Sequence, residues 1–131
     1  MIPGISNGFA NEQAPRGAAL RIRGRYTRNG AGAIDQTTIH GKGIASVART
    51  NAGIDTVTFN QSFLEHIYST ASVNVGAAKA DVAAQPGTIS DGSVTAAATM
   101  LIYSYVPTTN NASDHSLEVN FEIVFLLAKA D

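Results

Sequence analysis

Cysteine is absent from this 131-residue chain. Its absence excludes a disulfide framework and any thiolate chemistry. Charge is also scarce: Asp, Glu, Lys and Arg make up 15% of the residues, against roughly 25% in an average soluble domain. A surface built instead from Ala, Thr, Ser, Asn and Gly suits either burial against partners or the neutral polar skin of a small β domain. Long apolar runs are missing too, and no stretch approaches the ~18 residues that a membrane-crossing helix requires. The opening Met1–Ala10 lacks a basic n-region and an apolar h-region, so no signal peptide is expected. On that reading the sequons Asn60-Gln-Ser62 and Asn111-Ala-Ser113 are chance matches.

What is present is alternation. In the closing stretch Ser116–Leu127, Leu117, Val119, Phe121, Ile123, Phe125 and Leu127 occupy every second position, with Glu118, Asn120 and Glu122 between them. That is the period of a strand with one buried and one wet face. Val124 and Leu126 make the second face apolar as well, so the end of this strand needs cover on both sides. Phe121, Ile123 and Phe125 are assigned to the core, and Val124 and Leu126 to a partner-reporting surface.

The same period recurs upstream. In residues 18–28, Leu20, Ile22 and Tyr26 alternate with Arg21, Arg23 and Arg25. A strand here carries an arginine stripe on one face, which either contacts carboxylates on a partner or protects a sheet edge from aggregation. Residues 29–35 read as a loop. A strand within 36–50, the Asn51-Ala-Gly53 turn and a strand over Ile54–Phe59 read as a β-hairpin. Phe63 and Leu64 are expected to anchor a short turn. Ile67, Ser69, Ala71, Val73 and Val75 set the inward face of the next strand. Residues 76–92 read as a long loop, 93–106 as a strand and 107–114 as a polar turn. In the 93–106 strand, Met100 and Ile102 share one face and Leu101, Tyr103 and Tyr105 the other.

Five or six strands without a helix predict an all-β fold, an antiparallel β-sandwich or jelly-roll-like barrel. By length it is one domain, residues 18–131, able to bury about two-thirds of its unfolded surface. Residues 1–17 have no periodicity but include Ile2, Ile5 and Phe9. They read as an extended N-terminal arm that docks on its own domain or on a neighbouring copy.

Charge is split along the chain. Residues 1–50 hold seven basic and two acidic side chains, and residues 51–131 hold two basic and eight acidic. The two halves either interleave in the sheets or meet head to tail between copies. Binding to nucleic acid through Arg21, Arg23, Arg25 and Arg28 is not expected, because the pI is near 6.3 and no aromatics are interleaved with these arginines.

No arrangement of residues specifies a reaction. His40, His66 and His115 lack metal-ligand spacing. Asp114-His115-Ser116 has the residue types of a triad, but adjacent side chains on an extended chain diverge. Glu118 and Glu122 on one strand face stand roughly 13 Å apart, beyond the ~5–9.5 Å of a glycosidase pair. No enzyme, cofactor or metal is expected. The 76–92 loop together with Tyr68, Tyr103 and Tyr105 is the candidate lining of a receptor or sugar site.

Gly41-Lys-Gly-Ile-Ala-Ser-Val-Ala-Arg-Thr-Asn-Ala-Gly-Ile-Asp-Thr-Val-Thr-Phe59 resembles a hairpin common in small virion proteins of tailed bacteriophages. Val73-Asn-Val-Gly76 and Val119-Asn-Phe-Glu-Ile-Val-Phe125 are similar to later strands of such proteins. The chain departs from the pattern at Ile54-Asp55, where an aromatic is often seen. The resemblance covers roughly residues 39–125. It implies a virion structural protein assembled in the host cytoplasm, either a capsid cement (decoration) protein or a fibre or knob module. The implied partners are the major capsid protein and further copies of the chain, commonly as a trimer, with no nucleic acid and no membrane. The interface residues expected on this reading are Ile2, Ile5, Phe9, Arg21, Arg23, Arg25, Val124 and Leu126.

Overall fold

A computed structural model describes residues 18–28, 33–74 and 82–126. The described residues form nine strands and no helix: β1 Ala19–Arg28, β2 Ile34–His40, β3 Ile44–Asn51, β4 Ile54–Phe59, β5 Glu65–Asn74, β6 Ala83–Ser90, β7 Thr99–Val106, β8 Asn111–Ala112 and β9 Glu118–Leu126. The expected arm, with Ile2, Ile5 and Phe9, lies outside the described residues.

The strands form two antiparallel sheets. The first has the order β2-β1-β9-β5, and the second β3-β4-β7-β6 with β8 extending along β7. The closing strand is therefore central: β9 pairs with β1 from Ala19↔Leu126 to Thr27↔Glu118 and with β5 on its other side. At the sheet borders β5 lies close to β6 and β2 close to β3. β5, β6 and β7 follow one another around the wall and β9 returns beside β5, which is a Greek-key path.

Alternation explains the core. Ile22 and Tyr26 of β1 and Val119, Phe121, Ile123 and Phe125 of β9 face Val47 of β3, Val57 and Phe59 of β4, and Met100 and Ile102 of β7. Phe125 stacks on Phe63 with centroids 4.0 Å apart and meets Phe59 edge-on at 5.4 Å, a geometry that adds to simple area burial. Phe63 thus anchors its turn as expected, whereas Leu64 points outward.

Four expectations are corrected. Residues 34–35, expected in a loop, begin β2. The expected single strand over 36–50 is two, because Gly41 and Gly43 sit at φ +138° and +89°, a region that breaks extended pairing and favours glycine. Residues 83–90, expected in a loop, form β6. It is an edge strand with an irregular register after Pro86, where a missing N–H costs no ladder bond. The expected strand over 93–106 starts only at Thr99, since Gly92 at φ +81° and the Ser93–Ala96 turn precede it.

A fifth correction concerns parity. The β5 register shifts between His66 and Tyr68. Ile67 is the extra residue of a bulge and is exposed, while His66 meets the edge of Phe125 with ring centroids 6.1 Å apart. Beyond the bulge Ser69, Ala71 and Val73 keep the inward parity.

Candidate functional site

The first candidate face is the outer side of the β2-β1-β9-β5 sheet. Pairing of β1 with β9 sets the arginine stripe directly beside the acidic residues of the closing strand. Arg23 lies opposite Glu122, and its Nε donates to Glu122 Oε2 at 2.8 Å. Arg21 Nε is 3.2 Å from the same oxygen, and Arg25 Nε is 3.9 Å from Glu118 Oε2. Tyr68 Oη donates to Glu122 Oε1, and Asn74 Nδ2 to Glu118 Oε1. The hydrogen bond from Arg23, more than any other contact, holds the Glu122 carboxyl below its ordinary range. The opposite charges of the two chain halves thus interleave within one sheet. Glu65, opposite Leu126, and Asp35, opposite Thr27, add two exposed carboxylates to the same face; all three arginines stay more than half exposed, and Arg25 is the least engaged.

At one end of this face the polar pattern gives way to apolar residues. Val124 is buried within the single chain, between its cross-strand partners Arg21 and Tyr68, and Leu126 is half-buried. Leu64, Ile67 and Tyr68 are exposed beside them. The β5 bulge turns Ile67 outward, so reading strict alternation missed it as a surface residue, and Leu64, expected to anchor a turn, is exposed just before β5.

Between the sheets lies a second feature that the stripe overshadowed. Arg28 and Asp55 are fully buried. Arg28 Nη2 donates to Asp55 Oδ1 at 2.6 Å, and its Nε reaches both carboxylate oxygens at 2.8 and 3.0 Å. Tyr26 Oη donates to Asp55 Oδ2 at 2.6 Å. Arg28 Nη1 reaches Asp114 Oδ1 at 2.7 Å, and Arg49 Nη2 reaches Asp114 Oδ2 at 2.8 Å. Gly53, at φ +67°, donates its N–H to Asp114 as well. Burial, reinforced by the Asp55 charge, raises the Tyr26 hydroxyl above its ordinary range. The Arg49 hydrogen bond leads the effects that bring Asp114 down to about 2, with the Gly53 N–H and the Arg28 charge adding to it against an opposing burial effect.

This network ties β1 of one sheet to β4 of the other and pins the Asn51–Ile54 turn. Parity could have revealed it: Arg28 continues the inward series Ile22, Gly24, Tyr26, and Asp55 continues Val57 and Phe59. Two opposite charges on facing inward parities imply a buried pair.

The pinned turn forms a wall of the third feature. Ala52, Gly53, Ile54, Gln85, Tyr103, Ser104, Tyr105, Asn110 and Ala112 line a groove of about 390 Å³ on the outer side of the second sheet. Tyr103 and Tyr105 come together there, as their shared parity implies, whereas Tyr68 stands on the other sheet. Asp114 and His115 do not converge on a nucleophile: Asp114 is held by two arginines, and His115 Nδ1 accepts the Leu117 N–H at 3.0 Å. Among the described residues no cluster of His, Asp and Glu has metal-site geometry. In comparisons with protein-family models, curated proteins and solved structures, none matches this chain.

Proposed function

We propose that this chain is a virion structural protein without catalytic activity: a cement protein that binds the outside of a phage shell, as a trimer, through the outer face of its first sheet. The observation that carries the reading is the composition of that face. An exposed apolar group, Leu64, Ile67 and Tyr68, adjoins a stripe of three arginines that stay more than half exposed. The apolar end supplies area, and the exposed arginines offer donors that orient the partner. The chain enters this sheet at Ala19, opposite Leu126 and beside the same patch. The resemblance over residues 39–125 to tailed-phage virion proteins supports the same reading and supplies the partner, the major capsid protein. The Greek-key path of β5, β6, β7 and β9 supports a jelly-roll-like sandwich.

Mixing the protein with purified shells and following shell rupture on heating tests this function. Raised rupture temperature, with hundreds of copies bound per particle, is the expected result. Unchanged rupture and no co-sedimentation would overturn it. A second reading, a fibre or knob module that binds a receptor or glycan, is favoured by the tyrosine-lined groove on the opposite face.

A further inference from the structure

We infer that the groove on the outer side of the β3-β4-β7-β6 sheet is a binding site for a neutral saccharide. The inference deepens the second reading above and is independent of the first, because the groove and the arginine stripe lie on opposite faces of the molecule.

Its construction starts from the sequence of β7. Tyr103 and Tyr105 fall on the outward parity, so their rings stand roughly 7 Å apart along one strand. Their cross-strand neighbours are small for Tyr105 and uncharged for both. Tyr105 pairs with Ala83 on one side and Ala112 on the other. Tyr103 pairs with Gln85 and Ile54. Small neighbours leave the sides of Tyr105 open, Gln85 and Ile54 flank Tyr103, and both tyrosines stay half-exposed.

Gly87 fixes the orientation of one ring. A Cβ at Gly87 would lie 2.7, 2.9 and 3.0 Å from Cζ, Cε2 and Cε1 of Tyr103. A point nearly equidistant from three ring atoms is above the ring plane. The Tyr103 ring therefore lies with one face against Gly87, which leaves its other face clear of that residue. Any side chain at position 87 would tilt it.

The polar lining has a distinct character. Gln85 and Asn110 contribute carboxamides, and the tyrosines contribute phenols. None of these four side chains makes a hydrogen bond within the described residues. Asn110 sits at φ 58° at the end of the β7–β8 turn, where its N–H bonds the Val106 carbonyl at 2.7 Å. Asn tolerates this left-handed backbone better than most residues. None of the nine lining residues is charged.

These features select the ligand class. A flat aromatic face accepts the apolar C–H face of a pyranose ring, and a carboxamide pairs with vicinal hydroxyls because it offers a donor and an acceptor side by side. The absence of charge disfavours phosphates, carboxylates and sialylated sugars, which need a cation partner. A volume of about 390 Å³ falls in the ordinary range of small-ligand sites, ~300–1,000 Å³. Buttressing by the Asp114 network keeps the Ala52–Ile54 wall in place, so the site is largely formed before the ligand arrives.

The test is a titration of the full chain, labelled with ¹⁵N, with a panel of neutral mono- and disaccharides, alongside a sialylated trisaccharide and a proline-rich peptide. At least one neutral sugar is expected to shift the amides of Ala52, Gly53, Gln85 and Asn110, with saturation transferred from tyrosine protons to sugar C–H protons. Tyr103→Ala is expected to weaken binding about tenfold or more. Gln85→Ala, an exposed position, is expected to weaken it about three- to tenfold with the fold intact. If no neutral sugar perturbs these amides at concentrations of about ten times a millimolar Kd, the inference fails. It also fails if only the peptide or the sialylated sugar binds, or if binding survives both substitutions. Shell binding is measured separately, so its failure leaves this result standing.

Discussion

Removing Arg28 leaves the Asp55 charge in the core without its counter-ion, and removing Asp55 leaves the buried Arg28 with Asp114 alone. Asp55 accepts from both Arg28 and Tyr26, and both Arg28 and Asp55 are fully buried. Arg28→Met or Asp55→Asn is therefore expected to cost about 3–5 kcal/mol in urea unfolding. Tyr26→Phe, which deletes one bond to a charged acceptor, is expected to cost about 1.5–3 kcal/mol. Equal losses for Tyr26→Phe and Arg28→Met would show that the charge is not the dominant element. Asp114 gives the matching pH dependence. Its carboxyl titrates at about 2 in the fold against 3.8 ordinarily, so the folded state binds the proton less readily than the unfolded state. The stabilisation is complete above the unfolded value and is lost as pH falls from about 4 through about 2. Thermal midpoints over that window are expected to drop less steeply for Asp114→Asn than for the parent chain. Parallel profiles would count against the role given to Asp114.

At the scale of elements, β9 was legible because its alternation is long, apolar and uninterrupted, and because a central strand has no freedom to break it. The inward residues of β4 and β7 were legible for the same reason. What was hidden follows from local exceptions to period two. The β5 bulge adds one residue and so exchanges the faces of His66 and Ile67. β6 contains Pro86 and Gly87, which read as loop residues, yet an edge strand tolerates both. The arginine stripe was legible as a stripe, but its pairing with Glu118 and Glu122 depends on which strand lies beside β1, which local sequence does not encode. The groove was visible only as two tyrosines on one parity, since Ala52, Gln85 and Asn110 reach it from three other segments. The bulge makes a direct prediction. Ile67→Asp, at an exposed position, is expected to change stability by no more than about 0.5 kcal/mol. Phe125→Ala, beneath the same region, is expected to cost about 3–5 kcal/mol. Chemical denaturation distinguishes the two, and a large loss at Ile67 would mean that it packs inward.

At the scale of the molecule, two unlike faces lie back to back on one shared core. The outer face of the first sheet is charged with both signs and apolar at one end, and that of the second is neutral and aromatic around its groove. A rigid sandwich can present both at once, because neither face needs the other to rearrange. Arg25→Glu is then expected to weaken shell binding several-fold while leaving the unfolding free energy of the isolated chain within about 0.5 kcal/mol of the parent, and its thermal midpoint little changed, since exposed ion pairs contribute little to stability. It should also leave any saccharide affinity unchanged, because Arg25 lines neither the groove nor its buttress. Deleting residues 1–17 is expected to act in the same sense on shell binding, with the 18–131 domain still folded by circular dichroism. If Arg25→Glu instead lowers the thermal midpoint and shell affinity together, the stripe acts within the chain, through Glu118, and the docking face must be sought elsewhere. If it lowers saccharide affinity, the two faces are coupled through β1 and the Arg28–Asp55 pair, and the back-to-back independence argued from the fold is wrong.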